Sequence, residues 1–192
     1  MAWAGDVEDF FTAIGRDDGR LVMTLMIRGV NPNARDAEGN VGLVVALRDE
    51  SLKAADSLMQ YPALDVNLAN AAGETALMMA ALRGQLDWVK KLLVRGAQIN
   101  REGWTPLHYA ATAADGESSI ELLIKEGAEL NARSPNGSTP LMMAARYGRE
   151  SAIDALLKAG ADKGLRNEQG LSALDFARAS GREYLYPRLT AH

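Results

Sequence analysis

The chain repeats itself. Gly39, Gly73, Gly103, Gly137 and Gly170 stand 34, 30, 34 and 33 residues apart, and each opens a related pentapeptide. The strong copies are Gly73-Glu74-Thr75-Ala76-Leu77, Gly103-Trp104-Thr105-Pro106-Leu107 and Gly137-Ser138-Thr139-Pro140-Leu141. Gly170-Leu171-Ser172-Ala173-Leu174 is weaker, and Gly39-Asn40-Val41-Gly42-Leu43 is degenerate. An Ala-Ala pair follows each strong copy (Ala80-Ala81, Ala110-Ala111, Ala144-Ala145). About a dozen residues later an apolar pair leads to Gly-Ala: Leu92-Leu93 to Gly96-Ala97, Leu123-Ile124 to Gly127-Ala128, Leu156-Leu157 to Gly160-Ala161. A period of this length restricts the chain to a stack of small units, each burying its apolar face on the next.

Each unit has its own local logic. Thr followed by Pro places a hydroxyl N-cap before a residue already fixed at helical φ and needing no N–H donor. Leu, then Ala-Ala three and four positions on, gives a narrow apolar helix face where small side chains allow close approach. A polar break such as Arg83-Gly84-Gln85 or Gly148-Arg149-Glu150 separates this helix from a second one, which carries the leucine pair and ends at a glycine C-cap. The stretches Asn131 to Gly137 and Leu165 to Gly170 then supply a projecting β-turn finger. Neither helix is long enough to hold alone, so stacking must create the core.

These residues resemble the ankyrin repeat, with its 33-residue period and T-P-L-H-x-A signature. The fullest match is Thr105-Pro106-Leu107-His108-Tyr109-Ala110-Ala111, and copies in phase extend it over nearly the whole chain. The style of Leu64-Asp65-Val66-Asn67 and Leu174-Asp175-Phe176-Ala177 is similar to that of small stand-alone bacterial ankyrin proteins. The resemblance implies an all-α solenoid of stacked helix pairs with β-turn fingers. Six units are expected, near residues 6-35, 36-69, 70-100, 101-133, 134-166 and 167-192, in one domain spanning 1-192. The first has Phe10-Phe11 in place of TPL and the last ends in Tyr184-Leu185-Tyr186-Pro187, with Pro187 expected to limit its second helix. Both read as end caps.

The fourth unit departs from the pattern. From Gly96 to Gly103 is seven residues, against ten from Gly127 to Gly137. Three residues are missing from that finger, about 10 Å of extended chain. A truncated finger and a notch beside Trp104 are expected. One extra residue also stands between its helices, in Ala113-Ala114-Asp115-Gly116-Glu117-Ser118, and another in Tyr61-Pro62-Ala63-Leu64-Asp65 of the second unit. Neutral loop drift and a shaped recognition site both account for these changes.

Composition narrows the function. Hydrophobic residues at 47% and charged residues at 24% describe a folded soluble chain. With 21 Lys plus Arg against 25 Asp plus Glu, the net charge of −4 lacks the basic excess of a nucleic-acid binder. No apolar run approaches a membrane span. Ala2-Trp3-Ala4 has the A-x-A shape of a signal-peptidase site. As an export-signal remnant it places the chain in the periplasm, and as three chance residues it leaves a cytoplasmic protein.

The chain holds no cysteine and two histidines, His108 and His192, so Cys–His and Ser–His–Asp arrangements and a zinc site are not expected. The resemblance implies a hydrogen-bonding structural role for His108. Asp17-Asp18 and Asp49-Glu50 read as solvated turn residues, and no phosphate-loop or EF-hand pattern occurs. Met78-Met79 and Met142-Met143 read as packing residues that fill irregular gaps, or as part of an adaptable contact surface. No catalytic residue, metal or cofactor is expected.

Ankyrin-repeat proteins bind partners through finger tips and the concave face of the first helices. Carried over by position, this implies a partner-binding surface of Arg48, Glu74, Leu82, Arg83, Arg101, Trp104, Asn136, Arg146 and Tyr147. Trp104, Arg83, Arg146 and Tyr147 are the expected centre, because Arg, Trp and Tyr are enriched at interface hot spots. The leading function is a monomeric, non-catalytic protein–protein interaction module. The alternatives are an effector or immunity-type inhibitor of an enzyme or host protein, and a small-ligand sensor using the notch near Trp104.

Overall fold

The computed structural model describes residues 4–190. Ala2 and Trp3 of the A-x-A segment, and His192, lie outside the described residues.

The helices come in six consecutive pairs. They are α1 (Ala4–Gly15) with α2 (Gly19–Ile27), α3 (Gly42–Arg48) with α4 (Leu52–Met59), and α5 (Ala76–Leu82) with α6 (Leu86–Val94). There follow α7 (Pro106–Ala110) with α8 (Glu117–Lys125), and α9 (Pro140–Tyr147) with α10 (Glu150–Lys158). Finally α11 (Ala173–Ala179) leads through a 3-10 turn, Glu183–Leu185, into α12 (Tyr186–Thr190). The first helices stack as a row, α1 on α3, α5, α7, α9 and α11 in turn, and each second helix packs against its own first helix. Among the described residues, β pairing is limited to isolated antiparallel bridges from Arg35 to Val41 and from Ala69 to Thr75. This is the all-α solenoid that the family resemblance implies.

Helix starts follow the expected chemistry. The hydroxyls of Thr75, Thr139 and Ser172 accept the backbone N–H three residues on, of Met78, Met142 and Asp175. Pro106 and Pro140 sit in the first turn, where a missing donor costs nothing. The alanine pairs Ala80-Ala81, Ala110-Ala111 and Ala144-Ala145 are fully buried, as are Leu58, Leu92, Leu123 and Leu156 of the second helices. They belong to one continuous apolar cluster from Phe10 to Leu189. Helices of five to nine residues, such as α7 and α8, gain their stability from this seam, at about 1.5–3 kcal/mol per buried leucine.

Polar ties fasten unit to unit. The side-chain amide of Asn33 donates to Ala63 O (2.8 Å) and accepts from Asp65 N (2.9 Å); Asn67 and Asn100 repeat this on Gly96 with Gln98, and on Gly127 with Glu129. Arg95 donates to the carbonyls of Met59 and Tyr61, each at 2.8 Å, closing the carboxyl end of the preceding second helix. Asp17 is more than a solvated turn residue: its carboxylate accepts the N–H groups of Lys53 and Ala54 at the start of α4, where a negative charge also meets the helix dipole.

One terminal expectation is corrected. Pro187 does not limit the last helix but stands in the first turn of α12, which begins at Tyr186. A proline there lacks only an N–H that no intrahelical carbonyl would have met. The helix is held by Leu189, which is buried, and by Arg188, which pairs with Glu150 and Asp154 on α10.

Candidate functional site

The finger of the fourth unit lacks the closure that the others share. In the other fingers a backbone pair closes the hairpin: Asp36 N to Asn40 O, Asn70 N to Glu74 O, Ser134 N to Ser138 O, and Asn167 N to Leu171 O. Among the described residues no such bond spans Arg101 to Trp104. A space of about 360 Å³ opens beside the truncated turn, between Arg101, Glu102 and Gly103 on one side and Glu129, Ala132 and Arg133 on the other. This is the expected notch, but Trp104 does not line it.

Trp104 instead packs along its own helix. Its ring meets His108 edge to face at 5.3 Å and Tyr109 at 6.4 Å. It forms a wall common to two small cavities. One, about 210 Å³, is lined by Leu82, Trp104, His108, Tyr109, Thr112 and Met143. The other, about 180 Å³, is bounded by Trp104, Asn136, Met143, Arg146, Tyr147 and Phe176, among others. Met143 belongs to both, while Met78, Met79 and Met142 are buried.

The tandem methionines therefore differ in place: three are core, and Met143 is partly buried at the cavity walls. Met78 and Met142 also act in a way that residue type alone does not reveal. Their Sδ atoms accept the backbone N–H of Thr75 (3.4 Å) and Thr139 (3.3 Å). In the fourth unit His108 Nδ1 accepts from Thr105 N at 3.2 Å in the same slot. The opposite ring nitrogen of His108 meets Ser138 O at 3.0 Å. Both nitrogens are thus engaged, and burial lowers the imidazole pKa to about 4. His108 holds the fold and has no nitrogen free for a ligand or a substrate.

The nine expected surface residues fall into separate groups. Trp104 with Leu82 walls one cavity, and Trp104 with Asn136, Arg146 and Tyr147 walls the other. Glu74 joins them through Tyr109, whose hydroxyl donates to its carboxylate at 3.0 Å. Burial, and then the Glu74 charge, push the Tyr109 phenol pKa up. Arg101 donates to Gly73 O at 3.0 Å and lines the notch. Arg48 and Arg83 line neither of the two cavities. Arg83 donates to Arg48 O at 2.7 Å, while Arg48 grips the adjacent Asp49 with two nitrogens and so lowers that carboxyl's pKa.

Phe176 joins the patch without a signal in the sequence. It stands four residues beyond Ser172, where an apolar side chain reads as core; it is buried, yet it also edges the second cavity. A concavity of about 620 Å³ lies between α1 and the first finger, and no motif marks it. Its wall mixes apolar Val7, Phe11 and Ala37 with polar and charged Glu8, Thr12, Arg35, Asp36 and Glu38. Among the described residues no group of three or more His, Asp or Glu side chains is placed to hold a metal ion. Nor is any helix there long and apolar enough to cross a membrane.

Comparison with known proteins agrees with this architecture. A family model described as ankyrin repeats (3 copies) matches in overlapping windows at residues 10–102, 43–133, 82–167 and 111–187. Neurogenic locus notch homolog protein 1 of Xenopus tropicalis is 44% identical over 84 residues, 42% of this chain and 3% of that protein. The human Transient receptor potential cation channel subfamily A member 1 is 27% identical over 147 residues, 71% of this chain and 13% of that one. The chain thus spans a small fraction of the length of these relatives. Among solved structures, the human ASB11 ankyrin repeat domain superposes with a TM-score of 0.78 at 25% identity, covering 95% of this chain and 83% of that one. A chain of the complex between the predatory endopeptidase Bd0816 of Bdellovibrio bacteriovorus and the immunity protein Bd3460 gives 0.75 at 29% identity, covering 91% and 92%. Repeat period, stacked helix pairs and the matched windows lead to one conclusion: the chain belongs to the ankyrin-repeat family.

Proposed function

We propose that this chain docks a partner protein on the concave patch around Trp104, with Arg146 and Tyr147 on one flank and Leu82 and Tyr109 on the other. Ankyrin repeats are protein-interaction modules, and their fold is typically a non-catalytic binding scaffold. The observation that carries the assignment is the pair of adjoining cavities sharing Trp104 and Met143, beside a Tyr147 ring that is 58% exposed. A large aromatic ring left in water next to apolar hollows fits a hot spot awaiting its partner. At about 210 Å³ the larger hollow is below the roughly 300 Å³ at which small-molecule sites begin, which favours a side chain over a metabolite.

On this reading the chain catalyses nothing. It acts as one monomeric array, with unit boundaries near residues 35, 69, 100, 133 and 166. Arg83 contributes by tying its unit to the Arg48 carbonyl of the preceding one and Arg101 by bracing the short finger, Arg48 is spent on Asp49, and Glu74 positions Tyr109. The likeness to a chain from a peptidase–immunity protein complex supports a second reading, in which the docked partner is an enzyme and binding inhibits it. Periplasmic export rests on Ala2-Trp3-Ala4 alone, and fractionation of cells expressing the native gene tests it.

The test is affinity capture from source-cell extract, run in parallel with the wild-type chain and a Trp104→Ala, Tyr147→Ala double variant. A partner retained by the first and lost by the second is expected. Partners held equally by both would retire the patch. Loss of the captured partner's enzymatic activity on adding the chain separates inhibition from simple docking.

A further inference from the structure

The patch around Trp104 also constrains the chemistry of whatever docks there, an inference that rests on the docking function proposed for it. The charged groups around the two cavities are nearly all engaged. Glu74 accepts from Tyr109 and Asn70. Asp175 accepts both the N–H and the hydroxyl of Ser172 and lies 3.4 Å from Arg166, and Arg101 is spent on Gly73 O. Arg146 is different. Its guanidinium lies 5.1 Å from the Tyr147 ring and 5.9 Å from the Phe176 ring, and among the described residues it makes no hydrogen bond or ion pair. Two flanking rings limit the rotamers of an arginine and thin its hydration, while its planar fork of donors stays open to a carboxylate. The neighbouring cavity, walled by Leu82, Trp104, Tyr109 and Met143, has room for one apolar side chain.

We infer that the partner presents, on one exposed segment, an acidic side chain that pairs with Arg146 and an aliphatic or aromatic side chain that fills the Leu82–Trp104–Tyr109 hollow. Asp175 edges the same cavity as Arg146, but its Oδ2 accepts from Ser172 and Arg166, and it forms no ion pair with Arg146. The chain's net charge of −4 gives an acidic partner no long-range pull. Recognition is therefore by contact, within a Debye length of about 8 Å, and sets specificity more than association rate.

The test uses the full chain as bait for displayed random twelve-residue peptides. Enriched peptides are expected to share Asp or Glu within a few positions of Leu, Met or Phe. Arg146→Gln should weaken a synthetic acidic peptide by about fivefold or more, and its Gln-for-Glu counterpart by less than about twofold. Arg146→Glu should shift the selected charge to Lys or Arg. A selection without an acidic requirement, equal weakening of both peptides by Arg146→Gln, or oligodeoxythymidine bound at the patch in preference to peptide would each overturn the inference. In all three the patch itself survives. Binders indifferent to Trp104→Ala and Tyr147→Ala would instead sink the docking surface, so the two failures are distinguishable.

Discussion

The Nε2 of His108 lies 3.0 Å from the carbonyl oxygen of Ser138, in the finger of the following unit. Because Nδ1 accepts the Thr105 N–H, the ring's proton must sit on Nε2, which donates to Ser138. One neutral imidazole therefore caps its own helix and fastens the next unit. A charged ring would lose the Nδ1 acceptor.

That arrangement fixes a pH dependence. Burial depresses the folded-state pKa of His108 to about 4, below the ordinary 6.5, so between these values the unfolded chain binds a proton that the folded chain refuses. Stability from this group is full above about pH 6.5, falls as the pH drops towards 4, and the loss totals about 3 kcal/mol. Urea midpoints measured from pH 7 to 4.5 should show the fall. His108→Met, which copies the Met78 and Met142 slots, should flatten it at a cost near 1 kcal/mol at neutral pH for the lost Ser138 bond.

At Gly148 two units come into close contact. Its φ of −78° is ordinary for any residue, so the requirement is for space. A Cβ there would overlap Ala111 O of the preceding unit and crowd Ala144. Gly148→Ala is expected to lower stability by about 1–3 kcal/mol, the usual range for overpacking. Gly160 has nothing within 4 Å of its Cβ position but a φ of +93°, so Gly160→Ala should cost about 1 kcal/mol through strain. Thermal unfolding of the two variants separates crowding from conformation.

Arg95 is partly buried and serves carbonyls at the end of α4 with two nitrogens. Arg95→Ala should destabilise the array by about 1–3 kcal/mol, and Arg95→Lys should recover little, because an ammonium cannot reproduce the fork. Full rescue by lysine, read as an unchanged Tm, would show that charge alone matters at this site.

If Arg146 and Tyr147 are hot spots, changing both to Ala should weaken the captured partner by more than about 2 kcal/mol in a titration. Both side chains are exposed, so Tm should stay within about 2 °C of the wild type. A binding loss below about 0.5 kcal/mol would retire the assignment.

The frame is legible in the sequence because its signals are local. Glycine spacing, Thr-Pro starts, Ala-Ala faces and leucine pairs each act within a few residues, and a chain copying them at a fixed period has one way to bury them. The same spacing exposes the short fourth finger. Pro187 is ambiguous in sequence because a proline breaks a helix interior but suits its first turn, and only the position of the helix start decides between these.

The proposed binding face is less legible. Arg83 and Trp104 look equivalent as residue types, yet Arg83 is spent on Arg48 O while Trp104 divides two cavities. Phe176 looks like core and also edges the patch. By itself the sequence determined that short helix pairs stack in order and which residues face the seam. Only the stacked structure decided which side chains meet across units, because that depends on the offset of each unit against the next, set by packing between residues some thirty positions apart.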